Sequence, residues 1–345
     1  MKLSLVELGT VTPGTSKSQA LQDAVAAARQ AEDLGYHRIW YAEHHNTGAF
    51  ASQAPEILIA LAAQSTRRIR VGSGAVLLNH YSPYKVAETF LELEALAPGR
   101  VDLGLGRATA GPLVDLALRR DRSAQAADDF ADQVQEVLAY LNRGFPRGHA
   151  FSRLDPMAGH SSRPDVWLLG SSGSSARLAG ELGLGYAFAG FINPDAAARA
   201  LLRHRAFFAA APDKQRGGRS MLAVNVVVAD TDAEARQLSW SMRALLGRLA
   251  RTGASADVPT VEVAAHELGQ HERDIPTVIT GGQWPRLLAG SPATIRDQIE
   301  QMAEATGAEE VMVQDVIADP QARAHSRALM SQALGVAADR VTAAS

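Results

Sequence analysis

The chain has 345 residues, 46% of them apolar and 21% charged, with a net charge of −3. That composition suits a globular protein with a large core and offers no strong basic balance for nucleic acid or an anionic membrane. There is no cysteine, which excludes disulfides, thiolate metal sites and cysteine nucleophiles.

The opening LSLVEL (3–8) reads as a short apolar strand, not a cleavable leader. No apolar run reaches the roughly 18 residues of a membrane span, so a cytoplasmic protein is expected. Ala20, Leu21, Ala24, Ala28, Ala31 and Leu34 recur at helical spacing and predict a helix over 18–34, closed by Gly35. RIWYA (38–42) is the next strand, followed by a helix over 55–65 that opens on Pro55. IRVGSGAVLL (69–78) is a strand with glycines in its second half. A helix over 83–96, a PGR turn and the strand VDLGLG (101–106) follow.

The alternation resumes with strand 165–170, helix 173–182, strand 185–190, helix 194–211, strand 221–229 and helix 232–251. Helix 291–306, strand 309–314 and helix 320–336 complete it. A helix between two strands implies a parallel crossover. A doubly wound open sheet and a closed barrel both satisfy that pattern. Eight strand–helix units in a chain of this length favour a (β/α)8 TIM barrel, a single domain over 1–345. Irregular insertions near 109–122, 143–163 and 253–290 interrupt it, and such loops are commonly lids or binding loops.

In a barrel the active site gathers at the carboxyl ends of the strands. Glu43, His44 and His45 follow strand 38–42 directly. One carboxylate and two imidazoles there can exchange protons near neutral pH, or form a polar loop that satisfies backbone groups. The glycines of VGSGAVLLNHYSP (71–83) allow a flat ligand to approach, or mark a barrel corner. Arg107 follows strand 101–106 and suits a phosphate or carboxylate, or a surface ion pair.

Ser171, Ser172, Ser174 and Ser175 sit where strand 165–170 runs into its helix, and hydroxyls and free amides at a helix start form an anion site. Helix capping needs only one of the four. A rival anion site at Gly290-Ser291-Pro292 is read as a simple cap on the side of the barrel away from the catalytic face. His266 and His271 are five residues apart, not the four of a zincin helix, so no metal site is expected there.

Together, GYHRIWYAEHH, ASQAPEILIALAAQSTRRIRVGSGAVLL and HYSPYKVAETFLELEALAPGRVDLGLGRA resemble the bacterial-luciferase-like flavin monooxygenases. The GSG, HYSP and PGRVDLGLGRA run is nearest to their MsnO8-type subgroup. The resemblance implies a (β/α)8 barrel, in agreement with the strand count. It also implies FMN, reduced by a separate flavin reductase, which with O2 gives a C4a-hydroperoxide that oxygenates a small organic substrate. Residue by residue, it makes His44 catalytic and sets Gly74 and Ala75 at a non-prolyl cis peptide against the flavin ring; His45 or Glu43 is expected to orient His44. It assigns Arg107, Ser171, Ser172 and Ser175 to the flavin phosphate.

Gly106 replaces a cysteine found in luciferases, and LNHYSP and GRATAG depart from the subgroup's LPHYSP and GRAPG. Two alternatives share the fold: hydride transfer with the deazaflavin F420, and a non-catalytic flavin-binding relative. The resemblance also implies a homodimer, with helices 55–65 and 83–96 as the expected interface.

Overall fold

The computed structural model describes residues 1–119, 121–123, 128–211, 219–252 and 257–336. Residue 120, residues 253–256 of the expected insertions, and 337–345 lie outside the described residues.

The strands are β1 (Lys2–Glu7), β2 (Arg38–Tyr41), β3 (Arg70–Ser73), β4 (Val76–Leu77), β5 (Val101–Gly106), β6 (Asp165–Gly170), β7 (Gly185–Ala189), β8 (Ser220–Val228), β9 (Leu287–Gly290) and β10 (Glu310–Gln314). The helices are α1 (Lys17–Asp33), α2 (Pro55–Ser65), α3 (Pro83–Leu96), α4 (Pro112–Leu118), α5 (Phe130–Asn142), α6 (Gly173–Glu181) and α7 (Ala197–Ala210). They continue with α8 (Asp232–Leu238), α9 (Trp240–Thr252), α10 (Val261–Glu267), α11 (Gln270–Arg273), α12 (Pro292–Thr306) and α13 (Pro320–Ala333).

All the ladders are parallel and run β1–β2–β3–β5–β6–β7–β8, with β10 pairing both β8 and β1. That pairing closes an eight-stave (β/α)8 barrel, as the strand count predicts. Period-two side-chain alternation sorts the two faces. Leu3, Leu5, Leu222, Val224, Val311 and Val313 pack outward against the helices, whereas Val6, Trp40, Trp167, Met221 and Met312 form a separate inner cluster. Local signals set the helix ends. Ser16 caps α1 by accepting from the Gln19 amide, and α2 and α3 both start on proline.

Charge fills the lower part of the barrel. Arg38 is fully buried between Asp102 and Glu310, each at 2.6 Å. Asp102 also accepts from Trp40 Nε1 at 2.9 Å and pairs with Arg70. Burial works against the Asp102 charge, but Arg38 and Arg70 outweigh it and hold its carboxyl below the usual range.

Four details differ from the expectation. Strand 69–78 is two pieces, β3 and β4; the cis Gly74–Ala75 peptide that the resemblance implies lies between them. Helix 232–251 is broken at Ser239, whose hydroxyl donates to the Arg236 carbonyl. The 109–122 and 253–290 segments are not featureless: they contain α4, and α10, α11 and β9. Because β9 runs parallel to the second half of β8, from Asn225↔Leu287 to Val228↔Gly290, Ser291 lies at the carboxyl end of a strand. The sequence reading put it on the opposite side because the four-residue LLAG strand is too short to show a period. Ser291 does cap α12, and its amide donates to Asp232.

Candidate active site

The segments singled out in the sequence follow β2, β3, β5 and β6, which are consecutive staves. Parallel pairing therefore brings Glu43 to His45, Gly74–Ala75, Arg107 and Ser171 to Ser175 to one side of the barrel mouth.

Glu43 is a buried hub. It accepts from the Leu77 amide at 2.9 Å, the Tyr81 hydroxyl at 2.8 Å and His45 Nε2 at 2.7 Å. A carboxylate only accepts, so His45 carries its proton on Nε2. Glu43 thus orients His45 and not His44. The His44 ring stands against Phe50 with centroids 4.9 Å apart, and its buried Nδ1 has no partner among the described residues. Burial, helped by His45, lowers its pKa to about 4, so His44 is neutral at physiological pH. A neutral imidazole with an unused nitrogen can accept a proton or a hydrogen bond. Next to this group, His80 lies 3.3 Å from Asp115 on α4 and links the 109–122 insertion to the strand ends.

The glycines divide into two kinds. A Cβ on Gly104 would stand 2.1 Å from the Ser73 carbonyl oxygen, and one on Gly72 would stand 2.5 Å from that of Asp102. Those two let the β3 and β5 backbones approach. A Cβ on Gly106 would meet only the Ala75 Cβ, at 3.0 Å. Gly106 and Ala75 together leave a surface with nothing larger than a methyl group. A planar ring fits such a wall.

The serine loop is an open helix start. Ser172 is the N-cap of α6, extended at φ −136° and ψ 160°. Its hydroxyl lies 2.9 Å from that of Ser174, and the Ser171 carbonyl accepts from Asn193 Nδ2 at 3.2 Å. Ser175 turns under the loop: its hydroxyl is 2.9 Å from the Tyr186 hydroxyl and 3.0 Å from the Ser172 carbonyl oxygen. Arg107 is exposed and pairs with Asp128 at 2.8 Å; no hydrogen bond joins it to the serine loop among the described residues. The set suits a phosphate, with free amides and hydroxyls on one stave and a mobile-length guanidinium on the next.

Sequence reading missed Tyr81 and Tyr186 as members of these networks. Tyr81 lies inside the quoted HYSP run, but nothing local shows that its hydroxyl reaches a carboxylate 38 residues away. Tyr186 gives no signal at all, because it belongs to the outward, core-facing set of β7.

The luciferase-like monooxygenase family matches residues 1–310. The chain belongs to that family. It is 35% identical over 324 residues to an Escherichia coli K12 protein called luciferase-like monooxygenase, covering 94% of each chain. Its fold is similar to that of apo-MsnO8, at 40% identity and a TM-score of 0.85, covering 97% of this chain and 98% of that one. The FMN complex of the oxygenating constituent of 3,6-diketocamphane monooxygenase, from a CAM plasmid of Pseudomonas putida, shares the fold. Its identity is 24%, its TM-score 0.72, and 98% of each chain is covered. Members of this luciferase-like family are enzymes, and this chain is an oxidoreductase of the monooxygenase type. No helix among the described residues is long and apolar enough to cross a membrane.

Proposed function

We propose that the protein uses reduced FMN, delivered by a separate flavin reductase, and O2 to oxygenate a small organic molecule. The observation that carries this reading is the pairing of two half-sites. The methyl-and-glycine wall at Ala75 and Gly106 lies on β3–β5, and the serine-rich start of α6 follows β6. They lie one strand spacing (Gly106 on β5) to two (Ala75 after β3) apart, roughly 5–10 Å, which suits a flat ring joined to a terminal phosphate by a short sugar-alcohol chain.

Reduced FMN, when bound, supplies the activation of O2. The chain's own residues do the rest. Ser171, Ser172 and the α6 amides hold the phosphate, Arg107 adds charge from β5, and Ser175 braces the loop from below. Gly74, Ala75 and Gly106 give the ring its contact surface. His44 offers a neutral imidazole for a hydrogen bond beside the ring, and the Glu43–His45 pair holds a second imidazole in one orientation. The described parts of the 109–122 and 253–290 insertions serve as lids that exclude water. The protein works as a homodimer through α2 and α3.

Rapid mixing of the FMNH2-loaded protein with 18O2 and a panel of small substrates tests the reading. One labelled oxygen in a product supports it. Tight F420 binding without measurable FMN binding would replace it with hydride transfer.

A further inference from the structure

Tyr186 sits on the outer face of β7, buried, with its ring 5.5 Å from that of His204. Burial raises its pKa to about 12, so the hydroxyl keeps its proton. That hydroxyl reaches up under the start of α6 and donates to the Ser172 carbonyl oxygen at 3.1 Å. The same carbonyl accepts from the Ser175 hydroxyl at 3.0 Å and, more weakly, from the Ala176 amide of α6 at 3.4 Å. Gly170, the last residue of β6, leaves the room for this. A Cβ there would lie 2.2 Å from Ser175 Oγ and 3.6 Å from the Tyr186 oxygen.

The consequence follows from peptide geometry. A trans peptide is planar, so the C=O of one residue and the N–H of the next point in opposite directions. Fixing the Ser172 carbonyl downward onto Tyr186 therefore fixes the Gly173 N–H upward, out of the helix start. That amide belongs to the first turn and has no intrahelical acceptor. A donor held in position before its ligand arrives spares the ligand the cost of ordering it.

We propose that Tyr186 is the positioning residue of the anion site at the start of α6, acting through the Ser172–Gly173 peptide without touching the ligand. This rests on the reading of that loop as the seat of the FMN phosphate. It separates the serines by role: Ser171, Ser172 and Ser174 face the phosphate, while Ser175, Tyr186 and Gly170 form the brace beneath.

The test compares oxidised FMN with riboflavin, which has the same ring and sugar chain but no phosphate. Flavin fluorescence titrations give both dissociation constants for the wild type and Tyr186→Phe. The Phe ring preserves the packing on His204. Loss of the preorganised donor predicts an FMN affinity up to about tenfold weaker, with riboflavin affinity unchanged and Tm lowered by only a few degrees. Gly170→Ala displaces Ser175 from the other side and is expected to lower the FMN-to-riboflavin preference likewise. An unchanged preference in Tyr186→Phe overturns the assignment, as does equal weakening of both flavins, which marks a general structural role. If the wild type itself shows no preference for FMN over riboflavin, the phosphate reading of the loop fails first and the Tyr186 assignment falls with it.

Discussion

Glu43 holds His45 at 2.7 Å and leaves His44, the residue between them, outside the bond. Consecutive residues in extended chain point to opposite sides, so one carboxylate serves the second imidazole and cannot serve the first. The two histidines are thereby given different chemistry: His45 has a fixed tautomer, and His44 has a depressed pKa and a free nitrogen.

His44 is expected to stay neutral well below its ordinary titration range. Its pKa falls from 6.5 to about 4 through burial and the neighbouring His45. The unfolded chain takes up this proton from pH 6.5 downward while the folded chain does not, so the group lowers stability as pH falls from 6.5 to about 4. Imidazole resonances followed by NMR give the midpoint directly. A His44 midpoint near 6.5 contradicts the burial argument.

Replacing Glu43 by Ala strands the Leu77 amide and the Tyr81 hydroxyl together with His45. Removing a buried carboxylate with three donors is expected to cost about 3 kcal/mol. Urea denaturation measures this, and a loss below about 1 kcal/mol would show that the hub is not needed for the local fold.

The two kinds of glycine separate on substitution. Gly104→Ala drives a methyl into the Ser73 carbonyl at 2.1 Å, where backbone must move, and a loss of about 3 kcal/mol or more is expected. Gly106→Ala meets only the Ala75 methyl at 3.0 Å and should cost under about 1 kcal/mol. Comparable losses at the two sites would contradict the division between packing glycine and ligand-wall glycine.

Among the described residues, Arg107→Ala breaks only an exposed pair with Asp128, worth about 0–1 kcal/mol. Stability should therefore hold while FMN affinity falls about tenfold, since a charge-assisted contact to phosphate is lost. The salt dependence of FMN binding should also flatten. An Arg107→Ala protein that binds FMN as the wild type does would remove Arg107 from the cofactor site.

At the barrel floor, Asp102→Ala leaves Arg38 facing Glu310 alone, removes the acceptor of Trp40, and leaves Arg70 with Asp165 as its carboxylate partner. A loss of about 3–5 kcal/mol is expected for breaking a buried pair from one side. Because the Asp102 carboxyl is held below its ordinary value of 3.8, its contribution is present above pH 3.8 and is lost as pH falls through its lower folded value. Chemical denaturation at several pH values checks both statements.

The alternation of strands and helices is legible from local pattern alone. Apolar period, proline starts and glycine stops act over one or two turns of chain. The same order of elements made the barrel legible and set Glu43–His45, Gly74–Ala75, Arg107 and Ser171–Ser175 at strand ends. The short β9 escaped, because four apolar residues carry no period that separates strand from helix. Only the tertiary structure decided which groups touch. Glu43 meets Leu77 and Tyr81 because β2 and β3 are neighbouring staves. Tyr186 reaches the Ser172 carbonyl because β6 and β7 pair at Leu168↔Tyr186. Arg38 finds Asp102 and Glu310 only once the barrel closes. These contacts join residues from 14 to 272 positions apart, and hydrogen-bond directions at that range come from strand register, which no local pattern encodes.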